Sequence, residues 1–229
     1  MELSPDKKIE DLMINGLKII QSENYYRFTS DSVMLAKFPE KSYDNVLDLC
    51  AGSGIVGLHF FGEYGAKRVT FVEIQKDLAE MCRETVVLNG LNSVMNVENL
   101  NLKDFDGKKS FDAVLCNPPY EKFGSGILPD NERIAVCKTE VFCSLNDIVN
   151  CARNALKDGG RLFMCHKTER LTDVITSFRQ HKIEPVRLRF IKGKGKKGSY
   201  LFLIEGVKNK KLPLKIEGEF FNDATDFKG

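Results

Sequence analysis

The sequence predicts an α/β fold with a mostly parallel sheet, helices on both faces of that sheet and an antiparallel hairpin at its C-terminal end. Strand-like and helix-like runs alternate along the chain after residue 44. The first predicted strand leads directly into a glycine-rich turn and a helix, which is typical of a βαβ series. Only a short glycine and lysine stretch, residues 193–198, joins the last two predicted strands, which indicates a hairpin.

Length and composition indicate one domain with three parts. The chain has 229 residues, of which 42% are hydrophobic, enough for a substantial core. We expect residues 1–44 to form a segment that packs on the functional site. Residues 45–207 are expected to form the α/β domain itself, and residues 208–229 a C-terminal tail.

Several features of the sequence predict a cytoplasmic protein. No apolar run approaches the length of a membrane span, and the first ten residues are polar and charged, unlike a signal peptide. No two of the seven cysteines have CxxC spacing, so we expect reduced, mostly buried thiols. The three histidines are too scattered to suggest a metal site.

The predicted strands are apolar runs followed by polar or glycine-rich turns. They span residues 45–50, 68–73, 94–99, 111–116, 161–166, 183–192 and 199–207. The predicted helices span residues 55–64, 76–89, 140–156 and 171–181. The helix 140–156 is expected to stop at the glycine pair 159–160. A further short helix is expected to begin near Ser30 or Asp31, either of which could cap it.

The turn after the first predicted strand matches the pattern GxGxxG at Gly52, Gly54 and Gly57. An acidic residue, Glu73, ends the next predicted strand, 19 residues after Gly54. This strand–turn–helix context is typical of a dinucleotide site. An NAD-dependent oxidoreductase is therefore one candidate function.

The carboxylate of Asp48 argues against a dinucleotide at this turn. Asp48 lies four residues before Gly52, at the end of the strand, where a negative charge would repel a pyrophosphate. The same charge would attract a ligand that has an amino group. Nothing after residue 90 indicates the hydride-donor site that an oxidoreductase needs.

The run Asp48–Gly54 (DLCAGSG) resembles the glycine-rich motif of S-adenosylmethionine-dependent methyltransferases. The resemblance implies a Rossmann-like class I methyltransferase fold with S-adenosylmethionine as cofactor, and it implies that Glu73 accepts hydrogen bonds from the ribose hydroxyls. The implied cofactor-binding residues are Asp48, Cys50, Gly52, Gly54, Glu73, Ile74, Asn101 and Asn117.

The apolar run 111–116 stops at Asn117-Pro118-Pro119-Tyr120. Two consecutive prolines cannot donate ladder hydrogen bonds, so the strand must end in a stiff loop. Open α/β sheets bind their ligands at the carboxyl ends of their strands. We therefore expect this loop to lie at the same edge of the sheet as the glycine-rich turn.

These four residues resemble the NPPY signature of amino-methyltransferases, which methylate a nitrogen conjugated to a ring or a carbonyl. The resemblance implies that the side-chain carbonyl of Asn117 and the backbone carbonyl of Pro118 accept hydrogen bonds from that nitrogen as it attacks the methyl group. Pro119 would stiffen the loop. Tyr120 would stack on the flat substrate. The displacement needs no metal.

The flanking segments resemble the bacterial tRNA(Val) adenine-N6 methyltransferases over about residues 12–220. The resembling segments are 24–36 (NYYRFTSDSVMLA), 137–140 (CKTE), 166–171 (HKTERL) and 184–190 (EPVRLRF). The resemblance implies methylation of an anticodon-loop adenine in tRNA. Asn101 stands where many relatives have aspartate, and Thr139 stands where a histidine is frequent.

Other functions stay open at this point. The NPPY signature also serves methylation of guanine N2, cytosine N4 and protein glutamine. Outside this class, the alternatives are the NAD-dependent oxidoreductase and a non-catalytic RNA-binding protein.

The distribution of charge predicts a polyanionic partner. Residues 166–215 contain 14 Lys and Arg against 4 Asp and Glu, a net charge of +10, whereas the whole chain carries only +2. The candidate RNA-binding residues are Arg187, Arg189, Lys194, Lys196 and Lys197. The alternative for the lysines is a solvated turn.

Overall fold

A computed structural model of the chain describes residues 4–25, 29–120, 143–193, 195 and 197–222. The strands are β1 (Lys7–Asp11), β2 (Lys18–Ser22), β3 (Asn45–Leu49), β4 (Arg68–Glu73), β5 (Met95–Asn99), β6 (Phe111–Cys116), β7 (Leu156–Lys167), β8 (Ile183–Gly193), β9 (Ser199–Lys208), β10 (Lys215–Ile216) and β11 (Phe220–Asn222). The helices are α1 (Ser30–Lys37), α2 (Ile55–Tyr64), α3 (Lys76–Leu88), α4 (Leu145–Ala155) and α5 (Leu171–Gln180).

The main sheet has the strand order β10-β8-β9-β7-β6-β3-β4-β5, and β11 also pairs with β8. Strands β3 to β7 pair with one another in parallel. Strand β9 is antiparallel to both β7 and β8, between which it lies. The predicted mostly parallel sheet with a C-terminal antiparallel hairpin is therefore confirmed.

Helices cover both faces of the sheet, as predicted. On one face α1, α2 and α3 contribute buried residues such as Leu35, Phe60 and Cys82 to a single apolar cluster. On the other face α4 and α5 contribute Val149 and Phe178 to a second cluster. The central strands β3, β4 and β6 lie between these two layers, which explains their mostly apolar sequences, whereas the edge strand β5 is partly exposed.

The helix α4 and the strand β7 meet without the predicted glycine stop. The helix ends at Ala155, and Leu156 already has extended geometry, with φ −68° and ψ 141°. The buried ammonium of Lys208 donates to the Leu156 carbonyl at 2.6 Å, which stabilises this abrupt change. The glycine pair 159–160 lies within β7, where the register against β6 shifts. The predicted residues 140–142 lie outside the described residues.

The N-terminal segment contains a hairpin that was not predicted. Strands β1 and β2 form a two-stranded sheet that packs on α3. The backbone N–H of Ile20 donates to the Thr85 hydroxyl at 3.1 Å. The hydroxyl of Tyr25 donates to the carboxylate of Asp77 in the first turn of α3. The short C-terminal strands β10 and β11 were not predicted either.

Candidate active site

The glycine-rich turn after β3 has backbone geometry that favours glycine. Cys50, Gly52 and Gly54 have φ values of 58°, 57° and 89°, all in the left-handed region. A Cβ on Gly54 would lie 2.5 Å from the Sγ of Cys82, so a side chain there would force the buried Cys82 to shift. The turn ends at Ile55, where α2 begins, so the positive end of the α2 dipole lies at the turn.

The side chain of Asp48 is fully buried beneath this turn. Its Oδ2 accepts a hydrogen bond from the Gly57 N–H at 2.8 Å. Its Oδ1 has no hydrogen-bond partner among the described residues. Burial above all, together with the nearby charge of Glu73, raises the pKa of Asp48 to about 7, although the hydrogen bond from the Gly57 N–H acts in the opposite direction. A buried acceptor without a partner suits a cationic ligand group.

The carboxylate of Glu73 ends β4 and is buried beside the turn. Its two oxygens accept hydrogen bonds from the N–H of Gly52 at 2.8 Å and of Gln75 at 2.9 Å. Burial raises its pKa. Each carboxylate oxygen has a second lone pair, which suits the ribose contact predicted for Glu73.

The end of β5 supports the same edge of the site. The side chain of Asn99 donates to the carbonyls of Glu73 and Ile74 at 2.8 and 3.0 Å. This residue was not predicted, although an asparagine at the carboxyl end of a strand is the relevant signal. The predicted contact Asn101 instead accepts from the N–H of Lys103 at 3.0 Å, which caps a short 3₁₀ turn.

The NPPY loop lies beside the glycine-rich turn, as strand pairing dictates. Leu49 of β3 pairs with Cys116 of β6 in parallel register, so the next residues, Cys50 and Asn117, emerge side by side. Pro118 is buried. The predicted cofactor turn and the predicted catalytic loop therefore share one edge of the sheet.

The side-chain amide of Asn117 is held by three neighbours. Its Nδ2 donates to the hydroxyl of Ser32 in α1 at 3.0 Å. Its Oδ1 accepts from the hydroxyl of Tyr120 at 2.7 Å and from the thiol of Cys165 in β7 at 2.9 Å. Neither Ser32 nor Cys165 was predicted as a site residue. The N-terminal segment that contains Ser32 was expected to pack on the site, but nothing in the sequence distinguishes this serine, and nothing indicates the proximity of Cys165.

The ring of Tyr120 lies against the imidazole of His166, with 5.4 Å between the ring centroids. His166 is buried, and burial lowers its pKa to about 3, so the imidazole is neutral. In this arrangement the hydroxyl of Tyr120 donates to the side-chain oxygen of Asn117. This is the oxygen that was predicted to accept a hydrogen bond from the substrate. Stacking on a substrate would therefore require Tyr120 to move.

The N-terminal end of α1 is held by the C-terminal part of the chain. Thr29 is the N-cap, one residue before the predicted caps. The side chains of the predicted caps, Ser30 and Asp31, instead accept hydrogen bonds from residues distant in the sequence. Asn222 donates to the Ser30 hydroxyl at 2.7 Å, and Tyr200 donates to the Asp31 carboxylate at 2.9 Å.

The two arginines that were predicted to bind RNA form an internal ion-pair network. Arg187 and Arg189 lie over the ring of Phe38, with guanidinium carbons 4.1 and 5.1 Å from its centroid. Their side chains are only 11% and 21% exposed. The carboxylates that surround them belong to Glu40, Glu205 and Glu217. Because both guanidinium groups form ion pairs with these carboxylates, we do not include either arginine in an RNA-facing surface.

The described residues of the glycine and lysine turn between β8 and β9 include the exposed Gly195 and Gly198. Lys197 is exposed, whereas Lys194 and Lys196 lie outside the described residues, as do Cys137 to Glu140. Within the described part of the chain, no group of three or more His, Cys, Asp or Glu side chains could hold a metal ion. None of the described helices has both the length and the apolar composition that a membrane span requires.

Residues 28–183 match the model of the methyltransferase small domain family. The chain belongs to this family. Membership decides against the NAD-dependent oxidoreductase and places the glycine-rich turn and the NPPY loop within a methyltransferase domain.

Several relatives are tRNA1(Val) (adenine(37)-N6)-methyltransferases. The protein of Shewanella baltica is 23% identical over 171 residues, which are 72% of this chain and 71% of that protein. The protein of Shewanella woodyi is 29% identical over 104 residues, 42% of each. A ribosomal protein uL3 glutamine methyltransferase from Bordetella pertussis is 29% identical over 91 residues, 39% of this chain and 30% of that protein. The matches to the S. woodyi and B. pertussis proteins thus span less than half of those relatives.

Solved structures show the same fold. A predicted O-methyltransferase from Agrobacterium tumefaciens has a TM-score of 0.65 at 17% identity, over 84% of this chain and 88% of that one. The M. jannaschii TYW2 protein in complex with AdoMet has a TM-score of 0.61 at 14% identity, over 90% of this chain and 87% of that one. The Rossmann-like methyltransferase fold predicted from sequence is thereby confirmed.

Proposed function

We propose that this chain methylates the exocyclic N6 of an adenine in a structured RNA, specifically a tRNA. The observation that supports this most is the side-chain carbonyl of Asn117, which follows β6 directly beside the glycine-rich turn. Such an acceptor suits a substrate nitrogen that carries N–H groups.

The cofactor is S-adenosylmethionine, and the residues present fit it. The Oδ1 of Asp48 is a buried acceptor without a partner among the described residues, which suits the α-amino group. Gly52 and Gly54 have left-handed backbone geometry and no side chain, so the methionine portion of the cofactor can lie close to the backbone of the turn. Glu73 lies at the tip of β4, where its remaining lone pairs suit ribose hydroxyls.

Nitrogen on an adenine ring is a poor nucleophile because its lone pair is delocalised into the ring. When bound, the cofactor supplies a methyl group on a positively charged sulfur. The carbonyls of Asn117 and Pro118 accept hydrogen bonds from the N–H groups, which favours rehybridisation of the nitrogen toward sp³ during attack. This is preorganised electrostatic stabilisation, and it needs no strong base. The proton is lost to water afterwards.

An RNA substrate is supported by the relatives that methylate tRNA adenine and by charge. The segment 166–215 keeps its surplus of Lys and Arg, although Arg187 and Arg189 are used internally. The exposed Lys197 belongs to the turn that we propose contacts phosphates. The tRNA species and the nucleotide position come from the relatives alone.

The test is incubation with labelled S-adenosylmethionine and total tRNA, followed by nucleoside analysis. We expect label in N6-methyladenosine. The matched control is Asn117→Ala, which should lower the rate by about 10²–10³ and leave cofactor affinity near normal, because Asp48, the glycine-rich turn and Glu73 remain. Label in N2-methylguanosine would show that the substrate base is guanine and not adenine. An Asn117→Ala variant with full activity would overturn the proposed role of the NPPY loop.

A second candidate is protein glutamine methylation, because a relative named as a glutamine methyltransferase matches the chain at 29% identity. The amide nitrogen of glutamine is also conjugated, so the same acceptors would serve it. Incubation with ribosomal proteins in place of tRNA separates the two. Label in protein and none in RNA would favour glutamine.

A further inference from the structure

The thiol of Cys165 contacts the proposed catalytic amide from inside the protein. Cys116 pairs with Met164 across β6 and β7, so the next residues, Asn117 and Cys165, lie beside each other. The Sγ of Cys165 is 2.9 Å from the Oδ1 of Asn117 and 3.1 Å from the hydroxyl of Tyr120. Cys165 is 0% exposed, so it contacts the amide without being part of the surface.

An asparagine amide has two orientations that differ by a half-turn, which exchanges its oxygen and its NH₂ group. The proposed chemistry requires the oxygen on the side of Tyr120, because an NH₂ group there would face the N–H groups of the substrate. The hydroxyl of Ser32 does not select between the orientations, since a hydroxyl both donates and accepts. Another neighbour must therefore select the orientation.

The thiol of Cys165 favours the required orientation. Burial raises the pKa of this thiol, so it stays protonated and carries an S–H donor. Sulfur is only a weak acceptor, so the thiol interacts better with the amide oxygen than with the NH₂ group. Tyr120 also donates to that oxygen, but it must release it when a substrate binds. Cys165 then remains as the protein donor to this oxygen among the described residues.

We propose that Cys165 is a positioning residue for methyl transfer, whose thiol holds the amide of Asn117 with its carbonyl oxygen toward the substrate. The proposal rests on the proposed function of Asn117 as hydrogen-bond acceptor. It assigns a role to a buried cysteine that would otherwise count only as part of the core.

The test compares Cys165→Ala, which removes the donor, with Cys165→Ser, which keeps one. We expect Cys165→Ala to lower kcat by about 3–10-fold, the worth of one hydrogen bond, with substrate KM and cofactor Kd unchanged. Cys165→Ser should restore most of this kcat. The matched control is Cys151→Ala, which removes a buried thiol from α4 and should leave kcat unchanged. If Cys165→Ala does not fold, Cys165→Val fills the volume without a donor and carries the same expectation.

A second readout does not depend on activity. The side-chain NH₂ signals of Asn117 in an NMR spectrum, assigned by their loss in Asn117→Asp, report the amide orientation directly. We expect one sharp pair in the wild type and a broadened or doubled pair in Cys165→Ala. Unchanged signals, unchanged kcat in Cys165→Ala, or a Cys165→Ser variant as slow as Cys165→Ala would each overturn the proposal. A wild type that methylates nothing would refute the proposed function, while the NMR comparison would still decide the role of Cys165.

Discussion

The buried carboxylate of Asp48 accepts a hydrogen bond of 2.8 Å from the backbone N–H of Gly57, while its other oxygen has no partner among the described residues. One oxygen thus fixes the start of α2 against β3. The other is available to a ligand. This division of roles makes Asp48 a residue whose protonation should respond to the cofactor.

We expect cofactor binding to release a proton from Asp48. Its pKa of about 7 in the folded protein lies well above the ordinary value for an aspartate, so the protonated form dominates below neutral pH. Its contribution to stability is therefore fully present below about pH 4 and is lost as the pH rises through about 7. A bound ammonium group favours the carboxylate, so cofactor affinity should rise between about pH 5.5 and 7, where the amino group of the ligand stays charged.

Calorimetry in two buffers with different ionisation enthalpies measures this proton release. The heat of binding should depend on the buffer at pH 6, and Asp48→Asn should abolish that dependence. Equal heats in both buffers for the wild type would contradict the prediction.

Replacement of Gly54 by alanine should weaken cofactor binding and destabilise the protein. Its φ of 89° disfavours any side chain, and the new Cβ would lie 2.5 Å from the Sγ of Cys82. The matched control is Gly90→Ala, because Gly90 also has a positive φ, 67°, but has open space around its Cβ position. Gly90→Ala should cost about 1–2 kcal/mol of unfolding free energy from backbone strain alone, and Gly54→Ala more. Denaturant unfolding and calorimetry with S-adenosylhomocysteine measure both effects, and equal costs would show that the Cys82 contact is unimportant.

Replacement of Tyr120 by phenylalanine should raise kcat/KM for the substrate, or leave it unchanged. The phenylalanine ring keeps the flat surface for stacking but cannot occupy the carbonyl oxygen of Asn117. Tyr120→Ala removes both the ring and the hydroxyl, so it should lower kcat/KM by about 10-fold or more, since stacking is worth about 1–3 kcal/mol per base. Steady-state kinetics with tRNA measures both. A Tyr120→Phe variant as slow as Tyr120→Ala would mean that the hydroxyl itself contributes to catalysis.

Replacement of Lys194, Lys196 and Lys197 together by alanine should weaken RNA binding without regard to sequence, because phosphate contacts carry no base information. The slope of log affinity against log salt should become shallower by about 0.7–0.9 per lysine engaged. Cofactor affinity should not change. Titrations of the wild type and the variant with RNA at several salt concentrations measure the slope. An unchanged slope would show that this turn is solvated and does not contact RNA.

The contrasting variant Arg187→Ala should act on stability. Removing its guanidinium leaves the carboxylate of Glu205, which is 4% exposed, without its 2.8 Å partner. The loss from breaking a buried pair is about 3–5 kcal/mol, although Arg161 also contacts Glu205 and would reduce it. If the Arg187→Ala protein were fully stable but bound RNA more weakly, we would conclude that Arg187 contacts RNA.

The sequence by itself determined the order of the central elements and the two loops of the site. Alternation of apolar runs with amphipathic ones predicts strands β3, β4 and β6 closely, because parallel strands covered on both faces must be apolar throughout. Strand β7 begins at Leu156, five residues before its predicted start. Glycines and prolines mark the ends of β3 and β6 because their effects on the backbone are local. For the same reason the bounds of α2 and β6 were predicted to the residue.

Only the tertiary structure decided which side chains meet. The contacts of Ser32 and Cys165 with Asn117 join residues 85 and 48 positions apart, and no local pattern encodes them. The basic character of segment 166–215 is visible in the sequence, but only the tertiary structure shows that Arg187 pairs with carboxylates from three places: Glu40 after α1, Glu205 in β9 and Glu217 in the C-terminal tail. Short edge elements such as β10 form because β8 offers unpaired backbone groups, which is a property of the assembled sheet. Local chemistry thus determined the central elements and most of their ends, whereas long-range packing decided the junction of α4 with β7 and which polar groups are free to act.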